Sequence, residues 1–234
     1  MYTNIKGIFF DVGWTLETPS SGDWVITDRF RELCGNSTVD AAYSKLQKVI
    51  TDISADYMEK NHLMSTLEQQ ESQMVYFYTL IAQAVPELSL SAVQIADIAK
   101  DRTYNRKNYI LLPDTTSTLQ ELKHRGYKLG IISDTWPDII PQLEYFDILK
   151  YFDCTTYSYQ LGVFKPNPAM FNDALKKIAL PPEQTVFDDD MAYILEGAQK
   201  RGINPIQSLV QPGKKGDSRF PSVKGPSGVL DLIG

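Results

Sequence analysis

The stretch Ile5-Lys-Gly-Ile-Phe-Phe-Asp11 decides the fold of this chain. It is short, rich in apolar and aromatic residues, and ends on a carboxylate. A run of that kind suits a strand covered on both faces, as in a parallel sheet. Working outward, Tyr127-Lys-Leu-Gly-Ile-Ile-Ser133 and Thr185-Val-Phe187 read as further strands, Cys154–Ser158 as a weaker one, and Ile203–Val210 as the last. Helical patterns separate them. Pro113-Asp114 opens a helix through Leu119, Leu122 and Lys123, which Gly126 ends. Pro137 begins a second at a favoured position. Pro168–Ile178 forms a third, and Leu195–Arg201, ended by Gly202, a fourth. Strands alternating with helices predict an α/β fold, with a three-layer, Rossmann-like parallel sheet as its core. Residues 211–228, rich in Pro, Gly, Ser and Lys, read as a loop.

Between about residues 20 and 105 the pattern is helical throughout. Ala42, Leu46, Val49, Ile50 and Ile53 recur at spacings of three and four, as do Met74, Phe77, Tyr78 and Ile81. Ser37 and Asp40 offer an N-cap signature, and Ser65 with Glu68 a capping box. Pro86 ends that helix, and Ser91 starts another toward Lys100. A bundle of about four helices is therefore inserted after the first strand. The expected division is residues 1–16 and 108–234 as the α/β core, with 17–107 as an all-helical domain.

Composition bounds the chemistry. The 234 residues include 23 Lys and Arg against 29 Asp and Glu, a net charge of −6. That balance disfavours general nucleic-acid or acidic-membrane binding. No apolar run reaches the roughly 18 residues of a membrane span. Residues 1–10 lack the regions of a signal peptide, so a cytoplasmic location is expected. Two cysteines, Cys34 and Cys154, and two histidines, His62 and His124, make neither a disulfide framework nor a Cys/His metal site. Both histidines read as structural residues in helical segments, and Cys154 as a small core residue. Chemistry then rests on carboxylates, hydroxyls and lysines.

In open parallel sheets ligands bind beyond the carboxyl ends of the strands. Polar residues stand at four such places: Asp11, Ser133-Asp134, Lys165 in Gly162-Val-Phe-Lys-Pro166, and Asp188-Asp189-Asp190. Taken singly, Ser or Asp after a strand is also what a helix cap requires. One of the three consecutive aspartates is expected to cap a helix or lie in solvent. Trp14 and Trp136 adjoin these places and either wall a pocket or pack in the core.

The ordered set Phe9-Phe10-Asp11-Val12-Gly13-Trp14-Thr15-Leu16, Ile131-Ile132-Ser133-Asp134, Ser158–Pro168 around Lys165, and Val186–Ala198 resembles the four motifs of the haloacid dehalogenase-like hydrolases. The resemblance covers nearly the whole chain and makes the inserted helices the family's cap domain. It implies an enzyme, mostly a phosphatase in this family, working through a phospho-aspartate. Asp11 would be the nucleophile, splitting hydrolysis into formation and breakdown of an acyl phosphate. Thr15 would support the loop or contact the acid, Ser133 would hydrogen-bond a phosphoryl oxygen, and Lys165 would neutralise charge. Asp190 and Asp11, with the Gly13 carbonyl, would hold Mg2+, and Asp189 would bind it directly or through water.

Three positions depart from the pattern. Most family phosphatases carry an acid/base Asp where this chain has Gly13; Asp134 stands where Asn is common; and Ile194 occupies a late acidic or amide position. Asp23, Glu17 or a water is a substitute acid. The double aspartate of the fourth motif is similar to the branch of sugar-phosphate phosphatases. The expected function is a Mg2+-dependent phosphomonoesterase for a small phosphorylated substrate, with no nucleic-acid or membrane partner. The alternative is a weak or inactive member that binds a phosphorylated ligand or a protein. A 2-haloacid dehalogenase, whose branch carries Ser and Asn in the fourth motif, ranks last. The sequence leaves substrate identity and oligomeric state open.

Overall fold

The computed structural model describes residues 1–58 and 60–234. The chain divides into two compact units. One comprises Met1–Thr18, Leu111–Thr135 and Ile139–Gly234; the other comprises Pro19–Ile110 with Trp136–Asp138.

The first unit is the α/β sheet that the alternation predicts. Its strands are β1 (Gly7–Phe10), β4 (Lys128–Ser133), β5 (Cys154–Tyr157), β6 (Thr185–Asp189), β7 (Asn204–Ser208) and β8 (Ser222–Val223). They lie in the order β5-β4-β1-β6-β7-β8, every pair parallel. Two short strands, β2 (Glu17–Pro19) and β3 (Tyr109–Leu111), pair with each other where the chain passes between units. β8 lies within the stretch expected to be loop. Its two residues are too few to show a hydrophobic period, and it forms because Gln207 and Ser208 offer a free sheet edge.

The helices of this unit are α5 (Thr115–His124), α6 (Ile139–Tyr145), α7 (Ser158–Leu161), α8 (Pro168–Ile178), α9 (Ala192–Gln199) and α10 (Val229–Leu232). Pro137 stands two residues ahead of α6 rather than at its first position. Phe9, Ile132 and Phe187 project on one face into Met170, Phe171 and Ala174 of α8 and Leu195 and Ala198 of α9. Ile8 and Phe10, which alternate with Phe9, are also fully buried, so both faces of β1 are covered. Gly130 pairs with Phe9. A Cβ at that glycine would stand 2.6 Å from the Phe9 ring, so the bulky aromatic dictates the small neighbour.

The second unit is helical. Its elements are α1 (Asp28–Cys34), α2 (Asn36–Ile53), a π-helical turn at Ser54–Met58, α3 (Leu67–Ala84) and α4 (Ala92–Tyr104). Ile26, Phe30, Leu46, Phe77, Tyr78, Ile81 and Ile98 build its core. Its caps differ in detail from expectation. The helix expected to start at Ser65 starts one residue later: Thr66 accepts from Gln69 N–H, and Gln69 Oε1 returns to Ser65 N–H at 2.7 Å. Neither Ser37 nor Asp40 caps α2. Gly35 (φ 82°) turns the chain directly from α1 into α2, and Asp40 instead meets Arg31 at 2.8 Å. Ser91 forms a full capping box with Gln94. His62 is not helical; it lies buried before α3, edge-on to Trp136.

The same unit holds a buried polar network. The Arg102 guanidinium lies over the Tyr109 and Trp136 rings and donates to Trp24 O, Tyr109 Oη and Asp138 Oδ2. Asp138 also accepts from Tyr109 Oη at 2.9 Å, and its N–H donates to Gln70. No helix of the described residues is long and apolar enough to cross a membrane.

Candidate active site

The sheet order sets where chemistry gathers. β1 is flanked by β4 and β6, and the chain runs outward from them on both sides, so the carboxyl ends of these strands form the topological switch point. Phe10 pairs with Ile131 and with Asp188. Asp11, one residue beyond, donates its N–H to Asp188 O at 2.9 Å. From Val12 the backbone makes one tight turn, in which Leu16 and Glu17 N–H both reach Val12 O. The positive φ in this turn falls on Trp14 (56°) rather than on Gly13.

Lys165 organises the site. It follows α7, whose end is marked by left-handed Gly162. Its ammonium bridges Asp11 Oδ1 at 2.8 Å and Asp189 Oδ2 at 2.7 Å, with 5% of the residue exposed. Burial alone would lower the ammonium, but the carboxylates of Asp11 and Asp189 more than reverse this and hold it firmly charged. Asp134 Oδ1 accepts the Lys165 backbone N–H at 2.9 Å, fixing the loop that carries the lysine. Burial pushes the Asp134 carboxyl up to about 6, against the pull of Lys165.

The three consecutive aspartates are a correction. Asp188, Asp189 and Asp190 are all buried, at 0%, 0% and 6% exposure, so none is a solvated residue and none occupies the N-cap position. β6 runs on through Asp189 instead of stopping at Phe187, which draws the first two carboxylates into the sheet. The N-cap position of α9 is Met191, which makes no side-chain cap; Asp189 Oδ1 accepts its N–H at 2.8 Å. Strand alternation sends Asp188 to the face opposite Asp189. Both oxygens of Asp188 lack a hydrogen-bond partner among the described residues. Burial, followed by the charges of Asp189, Asp11 and Asp190, drives its acid well above the usual carboxylate range. Burial also raises Asp190, opposed by the Lys214 ammonium 2.9 Å away.

Ser133 closes β4 and is buried. Thr15 is fully buried, and its hydroxyl has no hydrogen-bond partner among the described residues. The substitute acids fare differently. Asp23 caps Val25 and Ile26 and accepts from Gln47, so its oxygens are committed within the helical unit. Glu17 is buried against Gln142. Trp14 gives its carbonyl to Ser208, while Trp136 donates to Gln73 inside the helical unit. Lys214 is the contact that sequence reasoning missed. It lies in a loop of exposed polar residues, and no periodicity points it at Asp190.

The donor set suits a magnesium ion. Asp11 Oδ2 and Asp190 Oδ1 have no hydrogen-bond partner among the described residues. After burial, the Asp11 charge also pushes the Asp190 carboxyl up. Among the described residues no group of three or more His, Cys, Asp or Glu side chains is arranged to hold a metal. Magnesium does not demand one: it is commonly held by one or two carboxylates and keeps several waters.

The geometry gathers buried carboxylates and a buried lysine at the switch point of an α/β sheet. The model of the haloacid dehalogenase-like hydrolases matches residues 36–207, and this chain belongs to that family. It is 27% identical over 224 residues to a glyceraldehyde 3-phosphate phosphatase of Methanothermobacter thermautotrophicus, covering 86% of this chain and 84% of that one. Its fold is shared by a phosphatase from Thermococcus onnurineus (TM-score 0.66, 18% identity, 97% of each chain). An L-2-haloacid dehalogenase from Xanthobacter autotrophicus shares it as well (TM-score 0.63, 18% identity, 97% of this chain and 98% of that one). The fold is thus common to both chemistries, and the side chains must separate them.

Proposed function

We propose that this chain is a phosphomonoesterase acting on a small organic phosphate through a phospho-aspartate on Asp11, with Mg2+ at the carboxylate cluster. The observation that carries this reading is the buried Lys165 ammonium between Asp11 and Asp189. A desolvated cation there offsets the repulsion between a carboxylate nucleophile and an incoming phosphoryl dianion. An Asp11 oxygen attacks phosphorus, and the ester P–O bond breaks with its electron pair on the leaving oxygen. That oxygen takes a proton from solvent or from an acid other than residue 13. Water then attacks phosphorus in the acyl phosphate, releasing inorganic phosphate and the Asp11 carboxylate. Ser133 is suited to hold a phosphoryl oxygen, and Thr15 to support the turn after Asp11. Asp11, Asp190 and the Gly13 carbonyl would hold the metal, with Asp189 beside it on Lys165. When bound, the ion supplies Lewis-acid neutralisation of phosphoryl charge.

Two adjacent aspartates at the end of β6 argue against a dehalogenase, which has no use for a cation there. The named relative makes glyceraldehyde 3-phosphate the first substrate to try. The second reading, a member that binds phosphorylated ligands without turnover, is favoured by Gly13 and by Ile194, which is buried in the sheet's own core. A panel of small phosphate esters, assayed with and without Mg2+, tests the proposal. Release of phosphate that requires Mg2+ and is lost in Asp11→Asn is expected. A folded protein that turns over no ester leaves the binding reading; chloride release from 2-chloropropionate without metal would restore the dehalogenase.

A further inference from the structure

We infer that Lys214 is a built-in occupant of the cation position at Asp190, so that a divalent ion enters this site only by displacing the lysine. The inference rests on the metal site proposed above. The Lys214 ammonium lies 2.9 Å from Asp190 Oδ2 and 3.2 Å from Met191 Sδ. The Lys214 and Asp190 side chains keep only 18% and 9% of their exposure, so the pair is largely out of water. Its place in the fold makes it a tethered cation. The loop between β7 and β8 is pinned beyond Lys214, where Asp217 N–H donates to Gln207 Oε1, Arg219 meets Glu196, and Phe220 is buried. Around the lysine the chain makes an exposed turn: Lys214 N–H reaches Gln211 O at 3.0 Å, Gly213 has φ 76°, and Lys215 and Gly216 are exposed.

A four-carbon stem on such a segment swings away without unpacking the core. Room for it exists in an open cavity of about 520 Å³ bordered by Tyr193, Gln207 and Lys215. Asp11 already shares its charge with Lys165, so a second ammonium on Asp190 leaves a divalent ion a poorer site. An ammonium at hydrogen-bond distance from Asp190 repels a divalent ion placed on the same group far more strongly than in bulk water. The lysine thus keeps the buried Asp190 charge satisfied while no metal is bound, and weakens metal binding by the same contact.

Isothermal titration of MgCl2 into the full chain tests this, comparing wild type with Lys214→Met and Lys214→Gln. Both variants are expected to bind Mg2+ roughly tenfold tighter or more. A second measurement uses the unaltered protein: acetic anhydride labelling read by mass spectrometry. Mg2+ should raise labelling of Lys214 and leave Lys215 unchanged. Equal or weaker Mg2+ binding in folded Lys214 variants, or Lys214 labelling indifferent to Mg2+, overturns the inference. Asp190→Asn separates the two levels. If it abolishes Mg2+ binding while both lysine measurements stay flat, only the displacement idea fails. If it leaves Mg2+ affinity unchanged, the metal assignment fails with it.

Discussion

Gly13 bears on the proposed turnover through the proton that the leaving oxygen needs. The missing acid/base carboxylate contributes roughly 10²–10⁴-fold where it operates. The left-handed backbone of this turn sits on Trp14, so a side chain at position 13 meets no φ penalty. Gly13→Asp is therefore expected to fold. It should raise the rate on alkyl phosphates, whose basic leaving oxygens need a proton, far more than on nitrophenyl phosphate, which leaves as a stable anion. Steady-state rates on the two ester types check this, and equal gains on both would refute it. Asp134 offers a prediction about stability. Its carboxyl is raised to about 6 by burial, above its unfolded value near 3.9. The native state therefore holds the proton more tightly, and stability falls as pH rises through the interval between those values. Asp134→Asn keeps an acceptor for the Lys165 N–H and carries no charge. It should be more stable than wild type by about 1–2 kcal/mol at pH 7 and no more stable at pH 3.5. Urea unfolding at both pH values reads the difference.

At the scale of elements, legibility followed the strength of local signals. Pro168–Ile178 is read to the residue, because Asn167 caps it and Pro168 stands at its first position. Ser91 is equally direct, as both halves of its capping box are present. Ser91→Ala is expected to cost about 1 kcal/mol, measured by denaturant midpoint, whereas Ser37→Ala should cost little. Where the reading slipped, a tertiary cause is at hand. β6 outruns its apolar residues because Asp188 and Asp189 are held by pairing with Ile206 and Gln207. Charged residues in a strand carry no sequence signal for that. Asp11 and Ser133 are legible because one follows and the other ends a strand, whereas helix α7 separates Lys165 from β5 and it is legible only through the loop sequence Gly162–Pro166. Lys214 was not, since its role depends on how one polar loop folds back over α9.

At the scale of the whole molecule, a piece of one unit comes from a later, separate stretch of the chain. Trp136–Asp138 complete the helical unit, although the rest of it ends at Ile110. A fragment of residues 19–110 keeps most of its apolar core but strands the buried Arg102 without Asp138. The fragment should be helical by circular dichroism yet melt early. Arg102→Met should then have opposite signs: destabilising in the full chain by about 3 kcal/mol, because the buried Asp138 keeps the Tyr109 hydroxyl but no cation nearer than Arg106 at 4.0 Å, and neutral or stabilising in the fragment. Thermal melts of the four proteins test it; the same sign in both backgrounds would show that the ion pair is not the deciding contact.

The placement of β1 also has a consequence for synthesis on the ribosome. Phe10 belongs at the centre of the sheet, yet its partners Ile131 and Asp188 are translated more than a hundred residues later. At elongation rates of roughly 5–20 residues per second, Ile8, Phe9 and Phe10 wait on the order of ten seconds with no strand to join. During that interval the nascent chain displays a sticky segment, with Ile5, Ile8, Phe9 and Phe10 unpaired, ahead of a helical segment that can already collapse. Stalled chains ending near residue 120 should therefore crosslink to chaperones through residues 5–10, and chains released after residue 215 should not.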